Sequence, residues 1–137
     1  MHQSSQPTGS NSKKVLIVDD DVTTLDIMCK DLKSFNVDYV AFEGAEEAFH
    51  YLEDHYRDIN VVLVDKIMVP LDGIDFLIRV KTHPLLLNIP VIIHSGDVDP
   101  NKITLAYDMG VDYYLKKPFT KSTMINAIEE VTNHILH

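Results

Sequence analysis

Cysteine occurs once in the 137 residues, at Cys29. No internal disulfide can form, and its place among apolar positions of a predicted helix makes it a small core residue rather than a nucleophile or ligand. No apolar run approaches the roughly 18 residues a membrane span needs, and no charged-then-apolar leader opens the chain, which argues against membrane and secretion and sets a cytoplasmic expectation. Basic residues are in deficit: 12 Lys plus Arg stand against 21 Asp plus Glu, a net charge of -9. That balance repels a phosphate backbone, so direct nucleic-acid binding is not expected. The seven histidines show neither HExxH nor a cysteine-paired spacing, and a zinc site is not read from them.

What is there is one domain's worth of chain with 45% apolar content. Residues 1–12, MHQSSQPTGSNS, are too polar to offset the entropy of folding and read as a flexible tail or cloning remnant, with the domain over 13–137. From Lys13 onward short Val- and Ile-rich runs alternate with amphipathic segments. The runs are residues 15–18, 37–42, 61–64, 90–94 and 112–115, several apolar on successive residues as in parallel strands covered on both faces. Helical spacing links Leu25, Met28, Cys29, Leu32 and Phe35; Ala45, Ala48, Phe49 and Leu52; Ile74, Leu77 and Ile78; and Met124, Ile128, Val131 and Ile135. Asp99 and Pro100 open a fourth helix that closes at Gly110. The pattern is (βα)5, an α/β fold whose right-handed crossovers give an open five-stranded parallel sheet with helices on both faces.

Sites in such folds lie beyond the carboxyl ends of the strands. There stand Asp19 and Asp20 after the first run, Asp65 after the third, Ser95 after the fourth and Lys117 after the fifth. Asp21, just ahead of the first helix, is read as its cap. Each residue alone has a bland explanation, as a cap or a solvated loop residue. Four elements converging on one rim do not. Two carboxylates about 4 Å apart repel by roughly 4 kcal/mol at an effective dielectric near 20, and a hard dication such as magnesium, or manganese, offsets this through oxygen ligands.

The pair after the first strand, Asp65 with Asp72 and Gly73 seven and eight residues on, Ser95-Gly96, and Lys117-Pro118-Phe119 resemble the receiver domain of two-component response regulators, a flavodoxin-like (CheY-like) fold. The resemblance covers nearly all of residues 13–137. It implies that Asp65 accepts a phosphoryl group from a histidine kinase or phosphotransfer protein. It also implies that Asp20, Asp65 and the Ile67 carbonyl hold the metal, Asp19 reaching it mainly through water, and that Lys117 pairs with the phosphate. Ser95 and Tyr114 would form the switch, with Tyr114 turning in from solvent as Ser95 moves toward the phosphate; the sequence does not say which of Tyr113 and Tyr114 is core. The fourth helix, fifth strand and fifth helix would be the output surface toward a downstream protein or output domain, and the face for a homodimer. The resemblance implies no turnover activity beyond the chain's own phosphorylation and dephosphorylation.

This chain has Val69 and then Pro70 where the family usually has proline at the earlier position, which bears on the loop after the third strand. Ile67 and Asp97 occupy the positions that tune phosphoryl lifetime in the family; an apolar group cannot orient an attacking water whereas an acid can, and the sequence leaves the lifetime open. Lys66 and His94 are read as polar-tipped side chains at strand edges, with a tuning role for His94 the lesser reading. A haloacid-dehalogenase-type phosphatase would need its nucleophile after the first strand in a DxD arrangement. A flavin binder would not place three acids where the phosphate sits. A pseudo-receiver that binds partners without phosphorylation is the remaining alternative, and the intact Asp20, Asp65, Ser95 and Lys117 set speaks against it. The sequence leaves open whether this is a stand-alone regulator or part of a longer one.

Overall fold

The structure is a computed structural model describing residues 2–3, 13–69, 71–134 and 136. Five strands run parallel: β2 (Lys14–Val18), β3 (Tyr39–Phe42), β4 (Ile59–Asp65), β5 (Val91–Ser95) and β6 (Tyr113–Lys116). A two-residue strand, β1 (His2–Gln3), pairs antiparallel with β3, so the order across the sheet is β1-β3-β2-β4-β5-β6. Of the expected tail, residues 1 and 4–12 lie outside the described residues.

The strands read as uninterrupted apolar runs because both faces are covered and successive side chains alternate between them. On one face Leu16, Val18, Val62, Val64 and Ile93 pack with Phe49, Leu52, Phe76 and Leu77 from α2 (Ala45–His55) and α3 (Gly73–Lys81), and with Ala106 from α4 (Pro100–Asp108). On the other, Val15, Ile17, Leu63, Ile92 and Leu115 meet Leu25, Met28, Cys29 and Leu32 of α1 (Val22–Ser34) and Met124, Ile125 and Ile128 of α5 (Lys121–Thr132). Burial pushes the Cys29 thiol up to about 11, which leaves it inert, as its apolar setting implied.

The expected helix stripes hold, with one change. In α3 the buried residues are Phe76, Leu77 and Val80, whereas Ile78 is 40% exposed. A nine-residue helix rotated by one position swaps Ile78 for Phe76, and spacing among apolar neighbours does not fix that rotation. Ile135 lies outside the described residues. The helix ends follow their caps. Asp21 accepts hydrogen bonds from the Thr23 N–H at 3.1 Å and the Thr24 hydroxyl at 2.9 Å. Asp99 accepts from the Asn101 N–H ahead of Pro100, and Gly110 takes the left-handed φ of 103° that ends α4.

Candidate phosphoryl-acceptor and metal site

Parallel register brings the strand ends level: Val18 pairs with Val64, Asp65 with His94, and Ser95 with Lys116. Asp19, just past β2, is buried, as is Asp65 at the end of β4. Lys117 reaches between them, its Nζ 3.3 Å from Asp19 Oδ2 and 3.2 Å from Asp65 Oδ1. The other Asp19 oxygen accepts the Asp21 backbone N–H at 2.8 Å. Burial dominates and pushes the Asp19 carboxyl up to about 6; the neighbouring Asp65 charge adds to the rise, while the Asp21 N–H and Lys117 oppose it. One ammonium between two carboxylates leaves negative charge in excess, and the two carboxylates offer hard oxygens. That donor set fits magnesium or manganese.

The expected metal residues are not equally placed. Asp19 and Asp65 lie in one close group whose third member is His94. Asp20 is exposed at the rim and outside that group, and the Ile67 side chain, 70% exposed, projects from the loop after β4. Two adjacent aspartates at a strand end point to opposite sides, so one is interior and the other faces solvent.

That loop is held by its glycine. Asp72 caps α3 through the Asp75 N–H, and the Gly73 N–H donates to the Lys66 carbonyl at 2.9 Å. A Cβ on Gly73 would lie 2.6 Å from the Asp65 carbonyl oxygen and 2.8 Å from the Lys66 Cα, both backbone atoms that cannot rotate aside. The Asp-Gly pair seven residues beyond Asp65 thus has a steric cause. Gly73→Ala is expected to cost about 1–3 kcal/mol, seen as a melting temperature several degrees lower, and to displace the backbone beside Asp65. An unchanged melting curve contradicts this. Pro70 lies outside the described residues; its neighbour Val69 is 88% exposed.

Ser95 is buried, and its Oγ accepts the Asp97 N–H at 3.0 Å. The Asp97 carbonyl in turn accepts the Tyr114 hydroxyl at 2.7 Å, and the Tyr114 N–H donates to the Tyr107 hydroxyl of α4 at 3.1 Å. Tyr114 is therefore the core tyrosine, 5% exposed, and Tyr113 is partly buried on the opposite face. The expectation of an outward Tyr114 is not met: its ring already stands inside, tied to the segment that follows Ser95.

Two residues depart from the expected strand-edge placement. Lys66 is half-buried and bonds Asp97 at 2.9 Å, and Lys102 of α4 reaches the same carboxylate oxygen at 3.2 Å. Asp97 is held down to about 2, mainly by Lys66, with help from the Asp99 N–H and Lys102. Partners 31 positions apart leave no local signature in sequence. His94 sits on an interior strand with no exposure, and neither ring nitrogen has a hydrogen-bond partner among the described residues. Burial, aided by Lys117, drives its pKa down to about 3, and the Val18 backbone opposes this.

The family model described as "Response regulator receiver domain" matches residues 15–129. The chain is 34% identical over 125 residues to the two-component response regulator ORR13 of Oryza sativa subsp. japonica, covering 91% of this chain and 99% of that protein. It is 30% identical over 123 residues to the 3',5'-cyclic-nucleotide phosphodiesterase regA of Dictyostelium discoideum, covering 89% of this chain but 16% of that one. Among solved structures, a response regulator receiver domain protein from Clostridium thermocellum superposes with a TM-score of 0.82 at 28% identity, covering 88% of this chain and 94% of that chain.

Proposed function

The chain belongs to the response regulator receiver domain family, and from that premise we propose that Asp65 is its phospho-acceptor and Lys117, Ser95 and Tyr114 its switch. Members of this family act as receivers in two-component signalling and are not in general turnover enzymes. The observation that carries the proposal is the Lys117 ammonium held between Asp19 and Asp65, 3.3 and 3.2 Å away, at the carboxyl ends of the strands.

In the proposed reaction an Asp65 oxygen attacks the phosphorus of a phosphohistidine on a histidine kinase or phosphotransfer protein. The P–O bond forms as the P–N bond breaks, and the imidazole leaves with the electron pair and takes a proton. Lys117 is placed to follow the charge as it moves onto the phosphoryl oxygens. Asp19, Asp65 and the rim residue Asp20, with the Ile67 carbonyl, would hold magnesium or manganese, which supplies further charge compensation there when bound. The added phosphate charge would draw the Ser95 hydroxyl off the Asp97 N–H, loosening the chain of bonds through Asp97 to Tyr114 and Tyr107. Leu105 and Tyr107, half-exposed on α4, would lie on the α4–β6–α5 surface that meets a downstream protein, an output domain or a second copy. No described helix is long and apolar enough to cross a membrane, and the proposed setting is cytoplasmic.

Mixing the chain with a phosphorylated histidine phosphotransfer protein and magnesium tests this reading. Transfer of label to the chain is expected. No transfer from any phosphohistidine donor would favour a phosphorylation-independent binding module.

Asp97 is the acid nearest in sequence to Ser95, and bound by two lysines it is a poor base toward an attacking water. Lys66→Ala frees one side of that carboxylate and is expected to shorten the lifetime of the aspartyl phosphate, followed as loss of label with time. An unchanged lifetime contradicts this role.

A further inference from the structure

His94 is the buried polar group that the phosphoryl chemistry leaves unused. Its ring is wholly enclosed, T-shaped against Phe119 with centroids 6.1 Å apart, and neither nitrogen has a hydrogen-bond partner among the described residues. Leaving a buried polar group unpaired is costly, so an interior imidazole in this state calls for a partner. Nδ1 faces Asp19, 3.7 Å from Oδ2. One ligand atom from each of Asp19, Asp65 and His94 lies within 4.8 Å of the others. In a tetrahedral site with ligands about 2.0 Å from the metal, donors are roughly 3.3 Å apart, so closure needs the side chains to approach by up to about 1.5 Å.

We propose that Asp19, Asp65 and His94 form a binding site for a borderline transition dication such as Zn²⁺ or Co²⁺, on the side of the two carboxylates where Lys117 now sits. The ammonium marks the place: its Nζ touches both carboxylates, and the side chain, 26% exposed, has room to withdraw to solvent. The site differs in kind from the oxygen-only set proposed for magnesium. An imidazole ligand shifts preference toward zinc, cobalt and nickel, whereas magnesium favours oxygen and water. Two carboxylates and a neutral imidazole balance a dication's charge. Sequence spacing gave no hint of such a site because its ligands come from three separate strand ends. Occupation removes Lys117 from Asp65 and is therefore inhibitory to any reaction at that carboxylate. The existence of the site does not depend on Asp65 being phosphorylated.

The test is titration of the metal-free full chain with CoCl₂, read by visible absorption, and with ZnCl₂ and MgCl₂, read by calorimetry. His94→Leu, which fills the same space without a ligand atom, and Asp20→Asn are compared with the wild type. His94→Leu is expected to weaken cobalt and zinc at least tenfold, in line with loss of a ligand or its support, and to leave magnesium unchanged. Asp20→Asn is expected to weaken magnesium and leave cobalt and zinc. Equal cobalt and zinc affinity in wild type and His94→Leu overturns the site. A readout on the wild type alone guards against a poorly folded variant: the His94 imidazole ¹⁵N resonances are expected to shift with zinc and not with magnesium, and resonances unmoved by zinc also overturn it.

Discussion

Asp65→Asn is expected to take up no phosphoryl group and to melt at the same temperature as the wild type or higher. Asn keeps the side-chain volume but removes the nucleophilic oxygen charge, so there is nothing to form the acyl phosphate. The stability expectation comes from the surrounding charges. In the wild type, Asp19 and Asp65 share one ammonium, and the Asp65 charge is one of the causes raising the Asp19 carboxyl to about 6. With Asn at 65 the cluster becomes one carboxylate and one ammonium, and a lesser cause of the Asp19 rise is removed while burial, the largest, remains. Label transfer from a phosphohistidine donor reads the first effect and a thermal melt the second. Residual labelling places the acceptor elsewhere, and a melting temperature several degrees lower contradicts the charge account.

Lys117→Ala has the second large effect. Removing a preorganised cation from a reacting oxygen typically slows the step about 10²–10³-fold, and phosphoryl uptake from acetyl phosphate is expected to fall within that range. The same change leaves Asp19 and Asp65 without their shared counter-charge. Lys117 opposes the rise of the Asp19 carboxyl, so in the variant that carboxyl is pushed higher still. The variant should therefore melt below the wild type without divalent cation and recover part of the difference when magnesium is added, while still binding magnesium. Thermal melts with and without magnesium check this. A variant as stable as the wild type in both conditions, phosphorylated at the wild-type rate, would show that the ammonium is a bystander.

Much of this was legible in the sequence because it is local or periodic. Successive apolar residues at 61–64 imply two covered faces, and β4 has them. Asp21, Asp99-Pro100 and Gly110 marked helix ends through capping chemistry that acts within three residues. The meeting of Asp19, Asp65 and Lys117 followed from topology, since parallel strands deliver their carboxyl ends to one edge.

The rest depended on three-dimensional register. Tyr114 rather than Tyr113 is core because Tyr114 lies level with Ile93 on the face covered by α2, α3 and α4, and no spacing within DYYL states that phase. Burial separates Asp19 from Asp20 for the same reason. The Lys66–Asp97 bond and the enclosure of His94 join distant segments, and sequence points the other way because a charged or imidazole side chain beside an apolar run usually reaches solvent. The β1 pairing of His2 and Gln3 rests on two polar residues with no strand signature at all.

The most direct test of the central claim is the intact mass of the wild-type chain after incubation with acetyl phosphate, with and without magnesium. The account predicts a gain of one phosphoryl group that appears with magnesium and is lost when the cation is chelated. A mass unchanged under both conditions would contradict it and make the Asp19–Asp65–Lys117 cluster a binding surface instead.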